Sequence, residues 1–171
     1  MSDRTTDEEF LLTVLNSTPI VDAVQTDEFA DAARTRSWLV SEGGTGSAAE
    51  LREVLRARHL LQAVVRGDED AASLAPTLRG VARTPAVTAD GIEWSLQVAK
   101  DRKMAVRAVL AWSRIAERRP QRLRACANDE CRLFLLDRSK ANNARWCSMA
   151  GCGNRMKARR HHQRSRVRHG D

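Results

Sequence analysis

The chain has 171 residues, enough for one ordinary domain and a small appended module, and no run in it approaches the apolar length of a membrane-spanning helix. Its net charge of +7 is unevenly distributed: residues 1–100 carry 10 Lys+Arg against 16 Asp+Glu, and residues 101–171 carry 19 against 6. An acidic body with a basic end excludes a uniformly polyanion-binding surface and directs any nucleic acid to the C-terminal part. Because 25 of the 29 basic residues are Arg, an excess that a GC-rich genome also produces, only the clustering of the charge carries weight.

The opening MSDRTTDEEF is acidic and has no apolar stretch, so no secretory leader is expected and the expected location is cytoplasmic. Phe10, Leu11, Val14 and Leu15 repeat with helical spacing, and Pro19 ends that helix or lies just beyond it. A second helix is expected from about Asp27 to Val40, with Phe29, Ala33, Trp38 and Leu39 inward. Ser41–Ser47 reads as a loop, since three glycines in four residues cannot sustain a helix. A phosphate cradle is disfavoured there, because no Lys-Ser/Thr follows and no strand precedes. Ser47-Ala-Ala-Glu50 is a capping-box pattern. Leu51, Val54, Leu55, Leu61 and Val65 then mark the buried stripe of a long helix closed by Gly67.

A shorter helix is expected over Glu69–Leu78, and Thr84–Ile92 is a turn-rich connection with room for a short hairpin or strand. The last helix of this region should span Leu96–Arg118, with Val98, Ala105, Val109, Trp112 and Ala116 on one side and Pro120 at its end. Nothing in residues 1–119 combines a nucleophile with a base or pairs a carboxylate with a histidine. Their single histidine, His59, reads as a surface or capping residue, so no enzymatic activity is expected.

The four cysteines of the chain lie in 27 residues: Cys126 and Cys131, then Cys147 and Cys152, as Cys-x4-Cys, fifteen residues, Cys-x4-Cys. Two short pairs separated by a hairpin-sized stretch make a tetrahedral thiolate site for one structural Zn2+. Disulfides would need an oxidising compartment; a Cys-x-x-Cys redox pair and a deaminase His-x-Glu are both absent. Residues 122–136 read as a zinc knuckle on a short hairpin, and Asp137–Asn143 as a turn-prone loop. Ser148 is placed to cap a final helix, with Cys147 just outside it and Cys152 in its first turns. The expected fold class is therefore mainly α: a helical N-terminal domain (1–119), a small treble-clef-like finger (120–163) and a basic tail (164–171).

Cys126-Ala-Asn-Asp-Glu-Cys131, Trp146-Cys147-Ser148-Met149-x-x-Cys152-Gly153-Asn154-Arg155 and the Met-Lys-Ala-Arg-Arg that follows resemble the CGNR zinc finger. In that family the finger commonly follows a helical ABATE domain, and members are regarded as stress-related transcription regulators in bacteria. Leu12-Thr-Val-Leu-Asn16-Ser-Thr is similar to that family's Leu-Asp-x-x-Asn-Thr signature, with Thr13 where Asp is usual and Ser17 interrupting Asn-Thr.

Beyond Cys152 the helix should project. At 100° per residue, Arg155, Arg159, His162 and Arg166 form one stripe and Lys157, Arg160, Arg164 and Arg168 the opposite one, with only Met156, Gln163 and Val167 between. Two basic stripes suit a helix lying in a major groove between phosphate strands. The expected nucleic-acid contacts are Asn154, Lys157, Arg159, Arg160, Gln163, Arg164 and Arg166, with the carboxamides of Asn154 and Gln163 reading base edges or serving as local caps. Arg155 is assigned instead to a zinc-bound sulfur or a knuckle carbonyl. Trp146 is expected to pack over the zinc core; His161 and His162 are not needed as ligands. A solvated basic tail is the plain alternative. The preferred reading is a double-stranded DNA-binding regulator, nucleoid-associated, with an N-terminal domain that senses a small-molecule effector or pairs subunits as a homodimer. A structured-RNA or ribosome-associated binder and a protein-interaction adaptor are the competing readings.

Overall fold

The computed structural model describes residues 2–168, without the side chains of residues 2–5, 164 and 166–168. About half of it is helical, with three small antiparallel hairpins and a cysteine cluster near the C-terminus. Helix α1 spans Ser2–Asn16 and buries Phe10, Leu11, Val14 and Leu15. The chain leaves the helix through buried Ser17 and Thr18, ahead of Pro19. A tight ribbon follows, β1 (Ile20–Val21) on β2 (Val24–Gln25), turned by Asp22 and Ala23 at φ 49° and 64°. Two left-handed residues make the turn geometry that fits a twisted hairpin, and Asp-Ala lacks the glycine that usually announces it.

Helix α2 covers Ala32–Ser41 and starts five residues later than the sequence pattern places it. Asp27 does not begin a helix: its Oδ1 accepts the Phe29 N–H in a local turn, and both its oxygens take the Arg58 guanidinium at 2.7 and 2.8 Å. Asp31 is the cap, accepting the Arg34 N–H. With that start, Thr35 and Leu39 turn inward and Ala33 is exposed, contrary to expectation. Trp38 stacks on Phe10, with centroids 5.4 Å apart, and tilts against Phe29.

Helix α3 (Ala48–Arg66) is the central element, capped by the Ser47 hydroxyl and closed by Gly67 at φ 84°. Glu50 does not reach back to its own cap. Its Oε2 instead accepts the N–H groups of Thr45 and Gly46, both at 2.8 Å, so the glycine loop wraps a wholly buried carboxylate. A Cβ at Gly44 would stand 2.7 Å from that oxygen and 2.8 Å from the Leu39 carbonyl, so the loop closes only around glycine. After a 3₁₀ turn over Ala71–Leu74 comes the single turn α4 (Ala75–Leu78).

Strands β3 (Ala82–Thr88) and β4 (Gly91–Gln97) form a seven-pair ribbon. It takes up Leu96, which the helical reading placed at the start of the next helix. Ile92, Trp94 and Leu96 alternate with polar residues, and β-branched and aromatic side chains at that period favour a strand. Helix α5 therefore begins only at Lys103 and runs to Arg118. Its buried side holds Met104, Ala105, Val106, Ala108, Val109, Ala111 and Ile115; Ala116 is exposed and Val98 lies outside the helix.

One hydrophobic core unites α1, α3 and α5. The third hairpin, β5 (Leu123–Ala125) on β6 (Phe134–Leu136), adds Phe134 to it, 2% exposed. The Arg66 guanidinium lies 4.5 Å from the Phe134 ring centroid and donates to the Arg132 carbonyl. No described helix is long and apolar enough to cross a membrane.

Candidate metal centre and basic helix

The β5–β6 hairpin presents the first two cysteines. Cys126 directly follows β5, its N–H bonded to the Leu133 carbonyl at 2.8 Å, and Cys131 lies in the loop before β6. The return of the chain is set by Asp137, buried at the end of β6. Its carboxylate accepts the N–H groups of Ser139 and Ala144, each at 2.8 Å, and an Arg124 N–H at 2.6 Å. The Ser139 hydroxyl, those backbone N–H groups and the Arg124 guanidinium hold its pKa down to about 2 against the opposing effect of burial. Arg124 also donates to the Asn142 side chain at 2.8 Å, which closes the loop. The Ala127 N–H then bonds the Arg145 carbonyl, bringing Cys147 beside Cys126.

Cys152 comes from a single wide turn, Met149–Gly153, capped by Ser148, whose hydroxyl accepts the Gly151 N–H at 2.9 Å. Helix α6, Asn154–Arg168, continues from it. A Cβ on Gly153 would come within 3.0 Å of Met149 and 3.3 Å of Trp146, so glycine lets half-buried Trp146 close over this turn.

The four Sγ atoms all lie within 4.8 Å of one another. Cys131 and Cys147 are 3.8 Å apart, and Cys147 and Cys152 are 3.7 Å apart. Thiolates at about 2.3 Å from a tetrahedral ion stand about 3.8 Å from each other, so the cluster has the dimensions of a zinc tetrahedron and none of a disulfide. The sulfurs receive donors as anionic ligands do: Leu133 N–H to Cys131, Cys147 N–H to Cys126 and the Asn128 amide to Cys152, each at 3.4 Å.

Burial, with the neighbouring thiols, pushes Cys131 up to about 11 and Cys147 higher still. For Cys152 burial works in the same direction but is outweighed by hydrogen bonds from Asn128 and the other thiols, which hold it low. Several thiolates at this separation repel one another unless a cation sits between them, and the donor set is that of a soft divalent ion. One structural zinc ion belongs here, held by Cys126, Cys131, Cys147 and Cys152.

Asn128 is a site residue that the sequence pattern does not single out. It is fully buried inside the Cys126–Cys131 loop, its carbonyl accepting the Cys131 N–H and its side chain serving Cys152. A carboxamide between two ligands is the signal that points to it. Asp137 is a second such residue, although an Asp opening the turn-prone DRSKANN is an Asx-turn signature. Arg155 does not take the role expected of it: it is exposed, and among the described residues the donors to sulfur, apart from the cysteines themselves, are Asn128 and two backbone N–H groups.

Along α6 the side chains of Asn154, Arg155, Lys157, Arg159, Arg160, His161, His162 and Gln163 are exposed, and among the described side chains only Met156 and Ser165 are half-buried. Asn154 donates to the Ala150 carbonyl at 3.4 Å, the local cap alternative. Arg159 pairs with Glu130 of the knuckle at 2.9 Å, both half-exposed. The two histidines meet edge to face, and neither belongs to the cysteine cluster. The side chains of Arg164 and Arg166 lie outside the described residues. Among those described, α6 packs chiefly on the turn that carries Cys152.

Residues 122–165 match the family model of the CGNR zinc finger. No curated protein matches the chain.

Proposed function

We propose that the protein is a zinc-stabilised DNA-binding regulator. Residues 1–119, the ABATE-like helical part, sense a small-molecule effector or pair two subunits. Residues 120–163 form the treble-clef-like finger, and residues 164–171 extend its basic helix. The observation that carries the reading is the exposed run of α6. From Asn154 to Gln163 it bears Arg155, Lys157, Arg159 and Arg160 and no acidic side chain, and among these described side chains only Met156 is even half-buried. Such a helix supports itself only by its anchored N-terminus. Zinc supplies that anchor, and four sulfurs leave no open coordination position for a reaction, so we assign the protein no enzymatic activity.

Phosphates take the arginines and Lys157. The Arg159–Glu130 pair is a surface interaction of about 0–1 kcal/mol and yields readily to a phosphate. Gln163 is free to read a base edge, whereas Asn154 is partly engaged by Ala150. One short helix confers modest specificity, which a paired protein would double. This reading places the protein in the cytoplasm, on the nucleoid. The test is a fluorescence titration of the zinc-loaded chain with duplex DNA and with structured RNA at matched salt. Tighter binding to DNA with a steep salt dependence supports the reading. Preference for RNA transfers it to the RNA-binding alternative, and binding to neither favours a protein-interaction adaptor.

A further inference from the structure

The β3–β4 ribbon is bare on its apolar side. Its register sets Arg83 opposite Leu96, Pro85 opposite Trp94 and Val87 opposite Ile92. Residues directly opposite in an antiparallel pair share a face, so these six lie together, and Thr84, Ser95, Glu93 and Gln97 lie on the reverse. Val87 is 86% exposed, Ile92 65% and Trp94 60%. Among the described residues the two strands pack chiefly on each other. A two-stranded ribbon is marginal in water by itself, and apolar-polar alternation is the pattern of a strand pair covered on one side.

We propose that this face is covered by a second copy of the chain, ribbon against ribbon about a two-fold axis. Size supports that occupant. The exposed apolar side chains present on the order of 500 Å² per copy, so two copies remove about 1,000 Å², where specific interfaces begin. Charge supports it too. Residues 82–97 carry Arg83 against Asp90 and Glu93, which disfavours a nucleic acid, and the apolar face holds one charge, at its root. The face is also self-complementary. An axis through the central Pro85–Trp94 pair lays each indole on the other copy's Pro85 and Trp94. It sets Val87 and Ile92 of one copy against Leu96 and the aliphatic stem of Arg83 of the other. Pairing of this kind does not rest on nucleic-acid binding and stands or falls separately from it.

Sedimentation velocity of the full zinc-loaded chain over roughly 1–100 µM tests the proposal, with Trp94→Ser and Ile92→Asp beside it. The expected result is a dimer whose dissociation constant rises by roughly 30-fold or more in either variant, with helical circular dichroism and one zinc retained. A wild-type chain that stays monomeric, or variants that dimerise as the wild type does, overturns it. Should a variant fail to fold, hydrogen exchange of the wild type decides. Amides of residues 82–97 must be better protected at high than at low protein concentration, and equal exchange at both overturns the proposal.

Discussion

The side chain of Asn16 holds the backbone of Phe134 at two points: its Oδ1 accepts the Phe134 N–H at 2.7 Å and its Nδ2 donates to the Phe134 carbonyl at 3.3 Å. Asn16 is the last residue of α1 and Phe134 the first of β6, 118 positions apart. A carboxamide carries the donor and acceptor of a peptide unit, so Asn16 acts as one residue of an edge strand beside β6. The zinc-bearing hairpin is thereby seated on the helical core, with the Phe134 ring buried beneath Arg66.

Asn16→Ala removes both bonds and leaves a half-buried backbone N–H without its partner. The loss should cost about 1–3 kcal/mol. Urea unfolding of the two proteins measures it, with zinc content unchanged because no ligand is touched. Equal midpoints and slopes would show that the joint contributes nothing.

Metal analysis should find one zinc per chain, and Cys131→Ser or a chelator should release it. Residues 122–165 then lose their order, since structural zinc supplies much of a small module's folding free energy. The α1–α3–α5 core should remain, weakened by the loss of Phe134 packing, on the order of 3–5 kcal/mol at most. Hydrogen exchange by segment distinguishes the outcomes: continued protection in α3 and α5 is expected, and simultaneous loss throughout the chain contradicts it.

The folded-state pKa of Asp137 lies at about 2, below its ordinary 3.8. A depressed carboxylate stabilises the fold fully above the unfolded value and loses that contribution as pH falls through the folded one. Asp137→Asn should therefore be less stable than wild type by a constant margin above about pH 5, and the margin should shrink as pH falls from there towards pH 2. Zinc release by protonated thiols would disorder residues 122–165, Asp137 among them, so the margin is compared only over the pH range in which metal analysis shows both proteins zinc-loaded. A margin independent of pH across that window would refute the role of the charge.

Changing Arg159, Arg160, Arg164 and Arg166 together to Gln should leave zinc and fold intact, because all four lie beyond the last ligand. Binding to duplex DNA should fall steeply, with the salt slope reduced by roughly one unit for each phosphate left without its arginine. Asn154→Ala should keep the slope and loosen the start of α6, where Asn154 holds the Ala150 carbonyl. An unchanged slope in the four-Arg variant would make α6 a solvated helix only and move the adaptor reading forward.

Sequence alone determined the features whose partners are near in the chain. Two Cys-x4-Cys pairs specify a thiolate site because each loop brings its own sulfurs together, and Ser47, Gly67 and Ser148 act on residues within one turn of themselves. The basic run of α6 is equally legible, since almost nothing apolar interrupts it. Tertiary structure decided what depended on distant atoms. Asp27 looks like a helix start until Arg58, 31 residues away, claims its carboxylate. Leu96 and Val98 fit a helical stripe until the strand opposite takes Leu96 into a ribbon. Glu50 completes a capping box on paper, yet the folded loop supplies two better-placed N–H groups. Asn16, Asn128 and Asp137 follow the same rule: a short polar side chain has many local partners available, and which backbone group is left waiting in a buried place is known only once the chain has closed around it.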